Sequence, residues 1–144
     1  MKEIKRWLKP KDLIISTSPM IKMSELIGEF ASDYINMGED TEERQNYLNR
    51  ACTAWNIAIL EENLREGALR DAIDSYKKMN PGTDDVENFE HDLRILIKKK
   101  LEIFPDIKKV IIDAMIEPID DTEYRINIAS TEGKELLEEI FKKT

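Results

Sequence analysis

The chain has 144 residues, 41% of them apolar and 36% charged, with 22 basic and 30 acidic side chains for a formal net charge of −8. That length and composition suit one domain with its own core and argue against disorder over most of the chain. The charge disfavours nucleic acid and anionic membranes as partners, and a single cysteine, Cys52, excludes an internal disulfide framework or a multi-cysteine metal site.

Lys2, Lys5, Arg6, Lys9 and Lys11 make a basic arm opposed only by Glu3. Ile4, Trp7 and Leu8 have helical spacing, Pro10 halts it, and residues 13–15 form an apolar run suited to a short edge strand. The first long helix is expected from Ser24 as N-cap, with Leu26, Ile27, Phe30, Ala31, Tyr34 and Ile35 on one face and Gly38 as the C′ residue. Asp40 and Glu43 then give a D-x-x-E start signal for a second helix, whose stripe of Tyr47, Leu48, Ala51, Cys52, Trp55, Ala58 and Ile59 predicts deep burial.

A third helix runs from about Asn63 to Met79 and stops at Asn80, Pro81 and Gly82. Thr83, Asp84 or Asp85 can cap a fourth, in which Val86, Phe89, Leu93, Leu96, Ile97, Leu101 and Phe104 keep the helical period up to Pro105. Residues 107–116 fit a helix or a strand. Tyr124, Ile126 and Ile128 alternate with Arg125 and Asn127 and read as a half-buried strand, which needs a neighbour and makes 110–116 its nearest partner. A last short helix would carry Leu136, Leu137, Ile140 and Phe141.

The expected fold is therefore α+β and mainly α: an antiparallel stack of about four helices with a C-terminal β-hairpin and a short terminal helix. Its parts are a basic arm with a short strand over 1–19, a helical core over 24–104, the hairpin over 107–130 and the closing helix over 132–143, in one domain. No apolar run nears the roughly 20 residues of a spanning helix or has signal-peptide form, so a reducing, cytoplasmic setting without membrane insertion is expected.

Chemistry is sparse in the linear pattern. His91 is the sole histidine, which removes the paired-histidine metal motifs, and its helical neighbour Glu87 supplies an ordinary surface pair. Cys52 sits on an apolar stripe, where a thiol stays protonated. Adjacent carboxylates such as Asp84 and Asp85 or Asp120 and Asp121 point apart on an element and make no acid/base pair by themselves. The glycines at 28, 38, 67, 82 and 133 form no nucleotide-binding fingerprint, so no cofactor or metal is expected. Tyr34, Tyr47, Trp55 and Asn56 are the candidates for a pocket. Lys2, Lys5, Arg6 and Lys9 with Lys98, Lys99 and Lys100 are the candidates for a basic patch.

The run of residues 23–31, MSELIGEFA, with Ala54-Trp55-Asn56 and the RINIAS run of residues 125–130, resembles small microbial proteins of uncharacterised activity. The resemblance implies a strand near the C-terminus and brings no substrate or catalytic residue. Three functions follow from the residues. The foremost is a non-catalytic protein-interaction or self-associating module, with a protein partner or a second copy. The next is a small-ligand binder or enzyme whose site is assembled from dispersed Tyr, Trp, Asn, Asp and Glu. The third is a nucleic-acid regulator using the arm and the lysines.

Overall fold

A computed structural model describes residues 22–131. Among them are four helices and two strands: α1 (Met23–Ile35), α2 (Thr41–Ile59), α3 (Glu62–Met79), α4 (Val86–Ile103), β1 (Val110–Pro118) and β2 (Tyr124–Thr131). The strands pair as an antiparallel hairpin, so the class is α+β and mainly α. The basic arm, its short strand and the closing helix lie outside the described residues. None of the described helices is long and apolar enough to cross a membrane.

The ambiguous stretch resolves as strand, beginning at Val110 after α4 has ended at Ile103. Two start and stop signals act differently from expectation. Lys22, in extended conformation, precedes α1 and its carbonyl accepts from the N–H of Glu25 and of Leu26, which places Ser24 inside the first turn instead of at the cap. Gly38 is not a left-handed terminator. α1 closes with N–H bonds from Met37 to Tyr34 and from Gly38 to Ile35, and the glycine is needed for proximity: a Cβ there would stand 2.8 Å from the Arg44 backbone nitrogen. The D-x-x-E signal does cap α2, with Glu43 N–H donating to Asp40 Oδ1 and Glu39 N–H donating to Glu43 Oε1, each at 2.8 Å. Gly82 takes φ +80°, the left-handed turn that the Pro81-Gly82 stop requires.

These positions predict opposite outcomes for one substitution. Gly38→Ala is expected to cost about 1–3 kcal/mol, because the methyl meets backbone. Gly67→Ala, where the added Cβ would find nothing within 4 Å on helix α3, is expected to gain about 0.5–1 kcal/mol. Urea unfolding of the two variants checks both signs.

The chain divides into two compact units, α2 and β1 each running through both. In the described residues the first unit comprises 22–49 and 112–130. Its buried residues include Ile27, Phe30, Ala31 and Ile35 of α1, Leu48 of α2, Ile116 of β1 and Tyr124 and Ile126 of β2. A lone two-stranded ribbon is marginal in water, and helical side chains hold this one. The Gln45 amide donates to Ala114 O at 3.0 Å and accepts from Ile116 N–H at 2.7 Å, and Tyr124 donates its hydroxyl to Asn36 Oδ1 at 2.5 Å. At the far end of the hairpin, Asp120 Oδ1 accepts from the N–H groups of Thr122 and Glu123, each at 2.8 Å, so that carboxylate knits the turn.

β1 breaks strict alternation: Ile112 and Asp113 are exposed in succession before Ile116 turns inward. Two consecutive outward residues are the pattern of a β-bulge, and Asp113 Oδ1 takes the next N–H, of Ala114, at 3.0 Å. One face of the hairpin is thus buried. The other presents Ile112, Asp113, Met115 and Glu117 from β1 and Arg125 and Asn127 from β2.

The second unit comprises 50–111 with Thr131. Here α3 packs against α4, with Leu69, Ile73, Phe89, Leu93 and Leu96 buried. Arg94 of α4 forks onto Glu66 of α3 at 3.2 and 2.9 Å and also meets Glu90. All three side chains are well exposed, so this surface network adds little stability.

Candidate functional site

The densest polar cluster gathers around Arg50 of α2 in the second unit. Its guanidinium donates to Asp92 Oδ2 at 3.3 Å, to Asp85 Oδ2 at 3.2 Å and to the Tyr76 hydroxyl oxygen at 3.2 Å. Tyr76 in turn donates to Asp85 Oδ2 at 3.0 Å. Tyr76 and Phe89 stack at 4.1 Å, and the Arg50 carbon lies 5.4 and 5.3 Å from their ring centres. Asp85 precedes α4 but makes no side-chain cap bond; its carboxylate turns to Arg50, Tyr76 and Asn88.

The electrostatics follow from these partners. The Asn88 amide, then Tyr76 and Arg50, hold the Asp85 carboxyl below its ordinary value against the opposing effect of burial. Burial, then the hydrogen bond to Asp85, pushes the Tyr76 phenol up, so it stays protonated as a donor. A guanidinium bound by carboxylates and a protonated phenol is a fork that fastens α2 to α3 and α4. It offers no activated nucleophile.

A second cluster surrounds Trp55, which is fully buried. Its indole N–H donates to Lys109 O at 2.8 Å, and its ring lies 6.0 Å from that of Phe104. The Asn56 amide pairs in both directions with the Ile111 backbone, at 2.8 Å each way, as a neighbouring strand would. Lys100, 1% exposed, donates from Nζ to Phe104 O and Ile107 O at 2.6 Å each and sits 4.6 Å over the Trp55 ring. Burial, with Lys108 and Arg65 as like charges, lowers its pKa to about 8, and only Asp106 opposes. Lys100 thus ties down the carbonyls beyond the end of α4, with its charge turned inward.

Of the candidate pocket residues, Tyr34 and Tyr47 meet in the first unit, their rings 4.8 Å apart and tilted by 56°. Trp55 and Asn56 belong to the second, bonded to backbone as above. In the lysine triplet Lys98 is exposed, Lys99 half-buried and Lys100 buried; Lys2, Lys5, Arg6 and Lys9 lie outside the described residues. His91 is exposed, and among the described residues no group of three or more His, Cys, Asp or Glu is placed to hold an ion. Of the four candidates Asn56 also lines an open groove of about 240 Å³ between α2 and α3, together with Thr53, Ile57, Ala68, Asp71, Ala72 and Ser75.

Cys52 is buried, which pushes its thiol up to about 12. Between pH 9 and 12 the folded chain keeps a proton that the unfolded thiol releases, so raising the pH there disfavours folding. Lys100 acts in the opposite direction: between about 8 and 10.5 the unfolded chain holds the extra proton, and raising the pH favours folding. Stability against pH for Cys52→Ala and Lys100→Met, each relative to the parent, is expected to diverge with opposite slopes. Parallel curves would contradict both assignments.

Neither Gln45 nor Arg50 stands out in the sequence, since each is a polar residue beside an apolar stripe. The only available signal was spacing: Gln45 and Asn56 are eleven residues apart, about three helical turns, and so share a face of α2. Comparison with protein-family models, with curated proteins and with solved structures finds no match.

Proposed function

We propose that this chain is a non-catalytic protein-interaction module that recognises its partner through the outer face of the hairpin. The observation that carries the reading is Ile112 and Met115 of β1, 65% and 54% exposed on one strand. Large apolar side chains grouped on a strand face, with polar residues beside them, are what a protein partner covers. The conspicuous polar groups of the second unit support the same reading, because Arg50, Asn56 and Lys100 spend their bonding capacity inside the chain. The alternative of a small-ligand site has the groove between α2 and α3 to draw on, and at about 240 Å³ it falls short of the roughly 300–1,000 Å³ usual for such pockets.

Photo-cross-linking in cells tests the proposal. A photoreactive residue at position 115 is expected to yield discrete protein adducts, whereas one at Asp74, exposed on α3, is expected to yield none. Equal or absent labelling at the two positions would overturn it.

A further inference from the structure

Resting on that reading, we infer that the partner on the hairpin's outer face is a basic amphipathic protein segment, one that sets a lysine or arginine among large apolar side chains. The chemistry follows from one juxtaposition: the exposed Asp113 stands in β1 between the exposed side chains of Ile112 and Met115. A partner that covers the two apolar groups covers the carboxylate with them. An ionised carboxylate withdrawn from water needs a cation or hydrogen-bond donors in exchange, and the chain gives Asp113 the N–H of Ala114, at 3.0 Å from Oδ1, and no ion pair among the described residues. Arg125, the basic side chain of the same face, is engaged by Glu117 at 3.7 Å. The partner must therefore bring the cation.

Charge complementarity over the wider hairpin points the same way. From Val110 to Thr131 the acidic residues Asp113, Glu117, Asp120, Asp121 and Glu123 stand against Arg125 alone, five charges to one, so this segment carries −4 of the chain's net −8. The exposed large apolar side chains of the described helices lack that setting. Ile95 and Ile103 each lie one turn of α4 from Lys99, Met79 follows Lys77 and Lys78, and Met37 stands singly. At the hairpin an acidic protein or a nucleic acid meets repulsion, a neutral apolar surface leaves Asp113 unmet, and a second copy packed strand to strand adds a like-charged hairpin.

Two synthetic amphipathic peptides of identical leucine spacing, one with lysine and one with glutamate at every polar position, test this by fluorescence anisotropy against the full chain. The leucine-lysine peptide is expected to bind and the leucine-glutamate peptide is not. Asp113→Lys and Met115→Asp are each expected to weaken binding by at least about tenfold. Asp74→Lys, which makes the same charge change at an exposed site on α3, is expected to alter it little. Circular dichroism of every variant establishes that the fold is intact. No binding of the lysine peptide, equal binding of the two peptides, or equal weakening by Asp113→Lys and Asp74→Lys would overturn the inference. So would a chain whose mass in light scattering rises from 16.8 kDa towards twice that value and is held at 16.8 kDa by Met115→Asp, which would give the face to a second copy. Tighter peptide binding by the Lys5→Glu, Arg6→Glu double variant would give it to the chain's own basic arm, with the same consequence. Should the lysine peptide fail while position 115 still yields protein adducts in cells, the basic partner alone falls and the interaction reading stands; no adducts at all would remove both.

Discussion

Trp55→Ala is expected to be the most damaging single truncation in the described chain, costing about 3–5 kcal/mol. Three effects coincide there. The indole has no exposed surface, so its loss opens a cavity that helices α2 and α4 cannot readily collapse. The Lys109 carbonyl loses the N–H that reaches it at 2.8 Å, and an unmet buried acceptor adds about 1–3 kcal/mol where water cannot replace the donor. Lys100 also loses the aromatic face 4.6 Å from its ammonium. Trp55→Phe separates the contributions, since it keeps most of the volume and deletes the hydrogen bond. Urea unfolding should place it between the parent and the alanine variant, and a phenylalanine variant as stable as the parent would mean that the hydrogen bond contributes nothing.

Arg50→Ala is the second large effect, expected at about 1–3 kcal/mol because it strips partly buried carboxylates of their shared donor. Asp85 and Asp92 would then face each other's charge without a cation between them, and the stacked Tyr76 and Phe89 would lose the guanidinium carbon 5.4 and 5.3 Å from their ring centres. The informative comparison is Arg50→Lys, which keeps the charge and loses the planar fork. An ammonium cannot serve Asp92, Asp85 and Tyr76 from one plane, so it should recover only part of the loss. Full recovery would show that charge, not the fork, holds α2 to α3 and α4.

The helices were legible because their apolar spacing is regular. Leu26, Ile27, Phe30, Ala31 and Ile35 are all buried, as are Leu48, Ala51, Cys52, Trp55, Ala58 and Ile59. β2 was legible for the same reason, since Tyr124 and Ile126 face inward while Arg125 and Asn127 face out. β1 was legible only through the need of β2 for a neighbour, because the successive exposure of Ile112 and Asp113 destroys the two-residue period on which strand reading depends. Of the three cap candidates Thr83, Asp84 and Asp85, the last holds the N-cap position, but an arginine thirty-five residues earlier in the chain takes its carboxylate and no side-chain cap bond forms. Lys100 was grouped with Lys98 and Lys99 by adjacency. Neighbours on a helix are about 100° apart, and at position 100 that rotation carries the side chain into the core beside Trp55.

The candidate site was less legible than the fold for a related reason. Gln45, Arg50 and Asn56 act through backbone carbonyls or carboxylates distant in sequence, and no local pattern encodes such partners. The hairpin's outer face escaped for the opposite reason: Ile112 and Met115 have core-type side chains, and only their exposure in the fold distinguishes them from core.

Methionine footprinting of the unaltered chain tests the recognition face most directly, because Met37, Met79 and Met115 are 65%, 80% and 54% exposed and so carry their own controls. Hydroxyl radicals would be applied to the protein in its own cells and to the dilute purified chain, and oxidation read at each methionine. The account predicts that Met115 is protected in cells relative to the dilute state while Met37 and Met79 oxidise alike in both. Unchanged Met115 oxidation, or protection spread equally over all three, would contradict it.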